Sequence, residues 1–136
     1  MAGDCPVEDG YALILHLNLC FKAYPKKDWW IRAQNSCRNK GSRLIILDTE
    51  EKHTAVREYI KTNIDEAQYW IGLNDILEES VFLWKNGNNA NFSVWGRTSP
   101  NNEWKREDCV MLSVEHNWWN DVNCKLDYKY ICEHSI

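Results

Sequence analysis

The chain has 136 residues, enough for one domain with a real core and too few for two ordinary ones. Its formal net charge of −4 argues against a nucleic-acid partner, which usually calls for a basic face. The longest apolar stretch, residues 11–21, is interrupted by His16 and Asn18 and falls short of the about 20 residues a membrane span needs. The opening Met1-Ala2-Gly3-Asp4-Cys5 has neither a basic start nor an apolar run, so no signal peptide is expected in it, and Met1 reads as an expression start on a mature domain or as a sign of cytosolic residence. Six cysteines, Cys5, Cys20, Cys37, Cys109, Cys124 and Cys132, decide for the first. None forms a C-x-x-C pair, which excludes a zinc knuckle or a thioredoxin-type motif. An even count in a small, tryptophan-rich chain points to a disulfide framework in a secreted protein, with the pairing left open.

In chain order, Leu13, Leu15, Leu17, Leu19 and Phe21 alternate with other residues and predict one strand with a strongly apolar face. His16 lies on the other face of that strand. Tyr24-Pro25-Lys26-Lys27-Asp28 reads as a turn, with Asp28 placed to cap a helix. In that helix Trp30, Ala33, Gln34 and Cys37 share a face, and Gly41 ends it. Leu44 to Leu47 predicts a short buried strand. Thr49 offers an N-cap to a second helix with Glu50 and Glu51 in its first turn and an apolar face of Ala55, Val56, Tyr59 and Ile60. Residues 70–73 and 81–84 predict further short strands, and Cys109–Val114 and Tyr128–Cys132 closing ones.

Between them, residues 85–104 are rich in Asn, Gly and Ser with isolated aromatics, the kind of long irregular stretch that commonly carries function. From Ser99 to Asp121 the chain then collects oxygen-bearing side chains: Ser99, Asn101, Asn102 and Glu103 around Pro100, Glu107-Asp108 before Cys109, and Asn120-Asp121 shortly before Cys124. Hard oxygen donors without a neighbouring thiolate or imidazole set suit Ca²⁺ better than zinc. Mixed amides and carboxylates also present donors and acceptors to a polar ligand. The reading from these residues is a calcium-dependent sugar site.

Several short elements, in order, carry a resemblance: W-x-x-A-x-x-x-C at Trp30 to Cys37, WIGL at Trp70 to Leu73, x-P-N at Ser99 to Asn101, Glu-Asp-Cys at 107–109, Trp-Asn-Asp at 119–121 and Tyr-Ile-Cys-Glu at 130–133. The chain resembles the long, six-cysteine form of the C-type lectin-like domain from Cys5 essentially to its end, as a single domain over 1–136 with its core at 5–134. The resemblance implies an α+β fold of two helices, two small antiparallel sheets and a long calcium- and ligand-binding loop region. It also implies three disulfides, Cys5–Cys20, Cys37–Cys132 and Cys109–Cys124.

It further implies a principal calcium held by Ser99, Asn101, Glu107, Asn120 and Asp121, the same side chains hydrogen-bonding two vicinal sugar hydroxyls that complete the ion's shell. Asn101 matches the mannose-type motif. Sugar-binding members carry Glu or Gln where this chain has Ser99, a shorter and uncharged side chain, so a lower calcium affinity is expected. A second calcium would use Asp75, Glu79, Asn102 and Asp108, the last of these sites weakened by Asn102 in place of a carboxylate. At Asp48, Lys52 and Glu133, where some members bind another ion, the lysine implies an internal salt bridge instead.

Trp30, Trp70, Trp84, Trp95 and Trp119 match core positions, whereas Trp104 and Trp118, set among the ligands, are candidates to stack on a sugar face or pack at the rim. Asn91-Phe92-Ser93 is an N-glycosylation sequon. No His-Glu-x-x-His, Gly-x-Ser-x-Gly or phosphate-binding glycine loop is present, and the adjacent Glu115-His116 reads as a solvated loop, so no enzyme is expected. The expected protein is a secreted, extracellular lectin of the innate-immunity type, with Ca²⁺ as cofactor and glycans or glycoproteins as partners. It has no nucleic-acid partner and no membrane span, and weak single sites leave room for a homodimer. The alternative is a protein- or mineral-binding module of the same fold that has lost sugar binding.

Overall fold

The computed structural model describes residues 4–96 and 108–136. Its elements are β1 (Ala12–Ile14), β2 (Leu19–Asp28), α1 (Trp30–Asn39), β3 (Ser42–Leu44), α2 (Glu50–Asn63), β4 (Gln68–Asn74), β5 (Leu83–Trp84), β6 (Cys109–Ser113), β7 (Trp118–Val122) and β8 (Tyr128–His134). One antiparallel group joins β1, β2, β8 and β3. The other joins β5, β4, β6 and β7. A short parallel contact, Tyr69 opposite Lys129 and Trp70 opposite Tyr130, links them into one hydrogen-bonded sheet. The α+β class, the two helices and the three disulfides are as the resemblance implies: Cys5–Cys20, Cys37–Cys132 and Cys109–Cys124. β2 lies against β8 from Cys20 opposite His134 to Tyr24 opposite Tyr130, which brings the two ends of the chain together under the Cys37–Cys132 bridge.

Local chemistry explains most of the elements. Trp30, Ala33, Gln34 and Cys37 are the buried residues of α1, at the spacing of one helical face. The Trp30 indole donates to the Ile71 carbonyl at 2.9 Å and the Trp70 indole to the Asp28 carbonyl at 2.7 Å, so each large ring is buried with its one polar atom satisfied. Gly41 follows α1 at φ +73°, a conformation that costs a Cβ-bearing residue strain. Thr49 caps α2, its hydroxyl accepting from the Lys52 N–H at 3.1 Å. Gly72 has no room for a Cβ, which would stand 2.8 Å from the Leu44 carbonyl and 3.0 Å from that of Ile45. That closeness lets the Gly72 N–H reach Ile45, whose own N–H bonds Ile131, and so ties the two strand groups together.

Five expectations are corrected. The alternating leucines do not make one strand: β1 ends at Ile14, a 3₁₀ turn covers Leu15–Leu17, and Asn18 at φ +51° sends the chain back as β2. Asparagine tolerates the left-handed region that such a reversal needs, and Leu15 is left exposed. The segment around Pro25 is not a turn but the distal, irregular part of β2. Trp29, not Asp28, holds the N-cap position of α1; the Asp28 carboxylate accepts from the Trp29 N–H and pairs with Arg32 at 3.8 Å. The inward face of α2 is His53, Val56 and Ile60, with Tyr59 at the margin against Phe21. Leu44 to Leu47 are all buried, although strand pairing stops at Leu44.

Trp119 sits at the centre of the larger core, edge-on to Trp84, Phe92, Trp95 and His53 at 5.4–5.9 Å between ring centres. Trp30, Trp70 and Trp84 are also fully enclosed, and Trp95 is half-buried against the same cluster. The strand that carries Trp119, β7, was not anticipated as a strand; it pairs with β6 from Ser113 opposite Trp118 to Cys109 opposite Val122.

Candidate calcium and ligand site

At the junction of β4 and β6, Asn74 pairs with Cys109 and the Asp75 N–H donates to the Asp108 carbonyl at 2.9 Å. These backbone bonds bring Asp75 and Asp108 side by side. The following loop folds back at Ser80, φ +68°, whose N–H donates to Asp75 Oδ2 at 2.8 Å. Glu79 thereby joins them. Carboxylate oxygens of Asp75, Glu79 and Asp108 lie within 4.8 Å of one another. Asp75 is 2% exposed, Asp108 half-buried and Glu79 exposed. Asp75 Oδ1 and Asp108 Oδ1 are buried with no hydrogen-bond partner among the described residues.

Burial, together with the Asp108 and Glu79 carboxylates, pushes the Asp75 carboxyl up to about 7, against the opposing Ser80 N–H. Such a group is costly as it stands. Two oxygens on one Ca²⁺ lie at most about 5.2 Å apart, twice the ion–oxygen distance, so the three carboxylates fit a shared ion. A divalent cation would satisfy both orphaned oxygens and cancel the repulsion. Of the four residues expected at the second calcium, three are brought together and Asn102 lies outside the described residues.

The expected principal set is described only at β7. Asp121, opposite Val110, is 1% exposed on the strand face that carries Trp119. Asn120 lies on the opposite face, half-buried against Gly96, where a Cβ would stand 2.5 Å from its Oδ1. The Gly96 N–H donates to the Trp119 carbonyl at 2.8 Å and the Trp119 N–H to that of Val94 at 2.7 Å, so the stretch leading into residue 97 is held alongside β7. Ser99, Asn101, Glu107 and Trp104 lie outside the described residues. Trp118 is half-buried and stacks on His116 at 4.9 Å, with Gly96 also close to its ring. His116 pairs with Glu115 at 3.4 Å, both side chains more than half exposed.

His53 supports β7 from beneath and was not singled out from the sequence, although it stands three and seven residues before Val56 and Ile60 at helical spacing. The Trp119 indole N–H donates to its Nδ1 at 3.1 Å, and its Nε2 lies 2.8 Å from Asn117 Oδ1. An indole nitrogen only donates, so Nδ1 is the acceptor and Nε2 carries the hydrogen. Burial lowers the His53 pKa, aided by Arg57 and opposed by the Asn117 bond and Glu50. Elsewhere Lys52 pairs with Asp48 at 3.1 Å, as expected of a lysine in that group. Glu133 accepts from the Ile46 N–H at 3.0 Å and pairs with Arg43 at 3.4 Å, not with Lys52.

Three comparisons place this arrangement among known proteins. The family model described as the Lectin C-type domain matches residues 26–134. "Salivary C-type lectin 1" of Aedes albopictus is 37% identical over 116 residues, covering 76% of this chain and 74% of the relative. Among solved structures, the mouse scavenger receptor C-type lectin carbohydrate-recognition domain superposes with a TM-score of 0.81 at 25% identity, covering 92% of this chain and 95% of that one. A calcium-independent type II antifreeze protein superposes with a TM-score of 0.79 at 23% identity, covering 93% and 92%, a likeness of fold alone. The chain belongs to the C-type lectin domain family.

Proposed function

We propose that this protein is a secreted, calcium-dependent carbohydrate-binding lectin that recognises mannose-type sugars with equatorial vicinal hydroxyls. The observation that carries the reading is the cluster of Asp75, Glu79 and Asp108, two of whose buried oxygens lack a partner among the described residues while burial and crowding raise the Asp75 carboxyl. Its Asp108 follows directly on Glu107, so an ion there would fix the backbone beside the proposed sugar site. In that site Ser99, Asn101, Glu107, Asn120 and Asp121 are the proposed ligands of the principal ion, with Asn102 joining the second. Oxygen-only sets of this kind suit Ca²⁺. Family membership supports a binding protein without catalysis, and the salivary relative supports secretion. Glycans or glycoproteins are the proposed partners, with a homodimer as one route to avidity.

Binding to a glycan array with calcium and with chelator is the test. Mannose-type signals that vanish with chelator, and in Asp121→Ala and Glu107→Ala proteins that remain folded, are the expected result. Equal binding with and without chelator would sink it.

One observation favours a second reading. Ser99 stands where sugar-binding members carry Glu or Gln, and the fold is shared by a protein described as calcium-independent. On this reading the chain is a protein- or mineral-binding module. Ser99→Glu separates the two: a weakened lectin gains calcium and mannose affinity with the added carboxylate, and a repurposed module gains neither.

A further inference from the structure

The acidic net charge conceals a segregated cationic surface. Residues 22–43 hold seven of the 16 Lys and Arg and one of the 20 Asp and Glu, a net +6 that leaves −10 for the rest of the chain. In space these residues are β2 beyond its pairing with β1, and α1, which follows directly. At one end of α1, Lys22 and Lys40 stand over the Tyr24 ring at 5.0 and 4.7 Å. At the other, Arg32 and Lys125 stand over Trp29 at 4.1 and 5.8 Å. In the last turn of α1, Arg38 is exposed and close enough to Lys85 to disfavour its charge, after burial, the larger cause.

The nearby carboxylates answer only part of this surface. Asp28 is committed to Arg32 and Glu133 to Arg43, and Asp9 lies beside Tyr24, its carbonyl accepting from Lys22. Lys22, Lys26, Lys27, Arg38 and Lys40 have no carboxylate partner among the described residues. A ten-residue helix is about 15 Å long, so the cations are strung along an extended track instead of gathered at a point. Lys26, Lys27, Arg38 and Lys40, exposed, like-signed and without a carboxylate partner among the described residues, match a flexible polyanion of high charge density.

We infer that α1 and the open edge of β2, through Lys22, Lys26, Lys27, Arg32, Arg38 and Lys40, form a docking face for a sulfated polysaccharide. Three disulfides belong to an oxidising compartment, where sulfated glycans are a more fitting polyanion than nucleic acid. The aromatic rings of Tyr24 and Trp29 hold the charged heads of Lys22, Lys40 and Arg32 in place, which limits the ordering cost of binding. The face uses no residue proposed for calcium, so it works in chelator.

The test titrates the whole chain, in EDTA, with a heparin-derived octasaccharide and with its desulfated counterpart. Saturable binding of the sulfated form only is expected, weakening at least about tenfold between roughly 50 and 200 mM salt. Lys26→Glu should weaken it about five- to tenfold and flatten the salt dependence, while the matched reversal Lys61→Glu on α2 should leave it unchanged. Equal weakening by the two variants overturns the face, as does equal binding of the desulfated octasaccharide or of duplex DNA of matched charge. Octasaccharide binding that disappears in EDTA also overturns it and assigns the sugar to the calcium loops. A failed glycan array for mannose would leave this result untouched.

Discussion

Two acidic groups on this scaffold have met opposite fates. Around Asp48 and Glu133 the chain supplies its own cations: Lys52 pairs with Asp48, Arg43 faces Glu133, and the Ile46 N–H takes the remaining Glu133 oxygen. Around Asp75, Glu79 and Asp108 no lysine or arginine pairs with Asp75 or Asp108 among the described residues, two buried oxygens are orphaned, and the Asp75 carboxyl is driven up to about 7. The first group is finished by the sequence. In the second, the buried oxygens of Asp75 and Asp108 are left by the described residues to a proton or an external cation. A cluster of carboxylates therefore points to a metal when its charge is left unanswered, not merely when its residues are close.

The largest test acts on the staple beside each group. Cys109 follows Asp108, and Cys132 precedes Glu133. Replacing Cys109 and Cys124 by serine should cost about 3 kcal/mol in thermal or urea denaturation, from a bridge that spans 15 residues, and should weaken calcium binding as well. Removing Cys37–Cys132, which spans 95 residues, should cost nearer about 4.5 kcal/mol. Calcium affinity should fall more with the smaller loss, because the Cys109–Cys124 bridge holds the first residue of β6, directly after Asp108.

Asp75→Asn should change sign with conditions. In chelator it removes repulsion and should raise the melting temperature by about 5 °C, the shift that roughly 1–2 kcal/mol gives a domain of this size. With saturating calcium it should lower it. A fall under both conditions would mean that Asp75 is simply structural.

The pH dependence sharpens the same contrast. Asp75 has a folded pKa above its unfolded one, so in chelator its contribution is fully present below about 4 and is lost as pH rises through about 7. Asp65 runs the other way. Burial would raise it, but hydrogen bonds from Lys129 and Tyr69, each at 2.7 Å, and from the Ala67 N–H lower it below the usual carboxylate value. Its contribution is present above about 4 and is lost as pH falls below that. Melting curves of Asp75→Asn and Asp65→Asn against wild type, from about pH 3 to 8, should show the two differences in separate windows.

The smallest effect belongs to Lys52. The pair with Asp48 is partly exposed, so Lys52→Met should cost less than about 1 kcal/mol in denaturant melts.

Much of this was legible in the residues. α1 is written in Trp30, Ala33, Gln34 and Cys37, and the cap of α2 in Thr49, because burial periodicity and capping are local. The disulfides and the Asp75–Glu79–Asp108 group came from resemblance, since they join distant parts of the chain. The leucine alternation misled because Asn18 permits a reversal that period two cannot signal. β7 was hidden because Trp118, Asn120 and Asp121 look like loop chemistry, while their strand depends on pairing with β6. His53 was passed over because a polar residue gains a core position only from partners far away, here Trp119 and Asn117.

The central claim is that the buried oxygens of Asp75 and Asp108 await calcium and that calcium in turn admits the sugar. Calorimetric titration of Ca²⁺ into chelator-stripped wild-type protein, followed by mannose, tests it most directly. The account predicts saturable calcium binding, reduced in Asp75→Asn and in Asp121→Ala, and mannose heat only after calcium. No saturable calcium binding up to about the millimolar range of weak extracellular sites, or mannose heat that is the same without the ion, would contradict it.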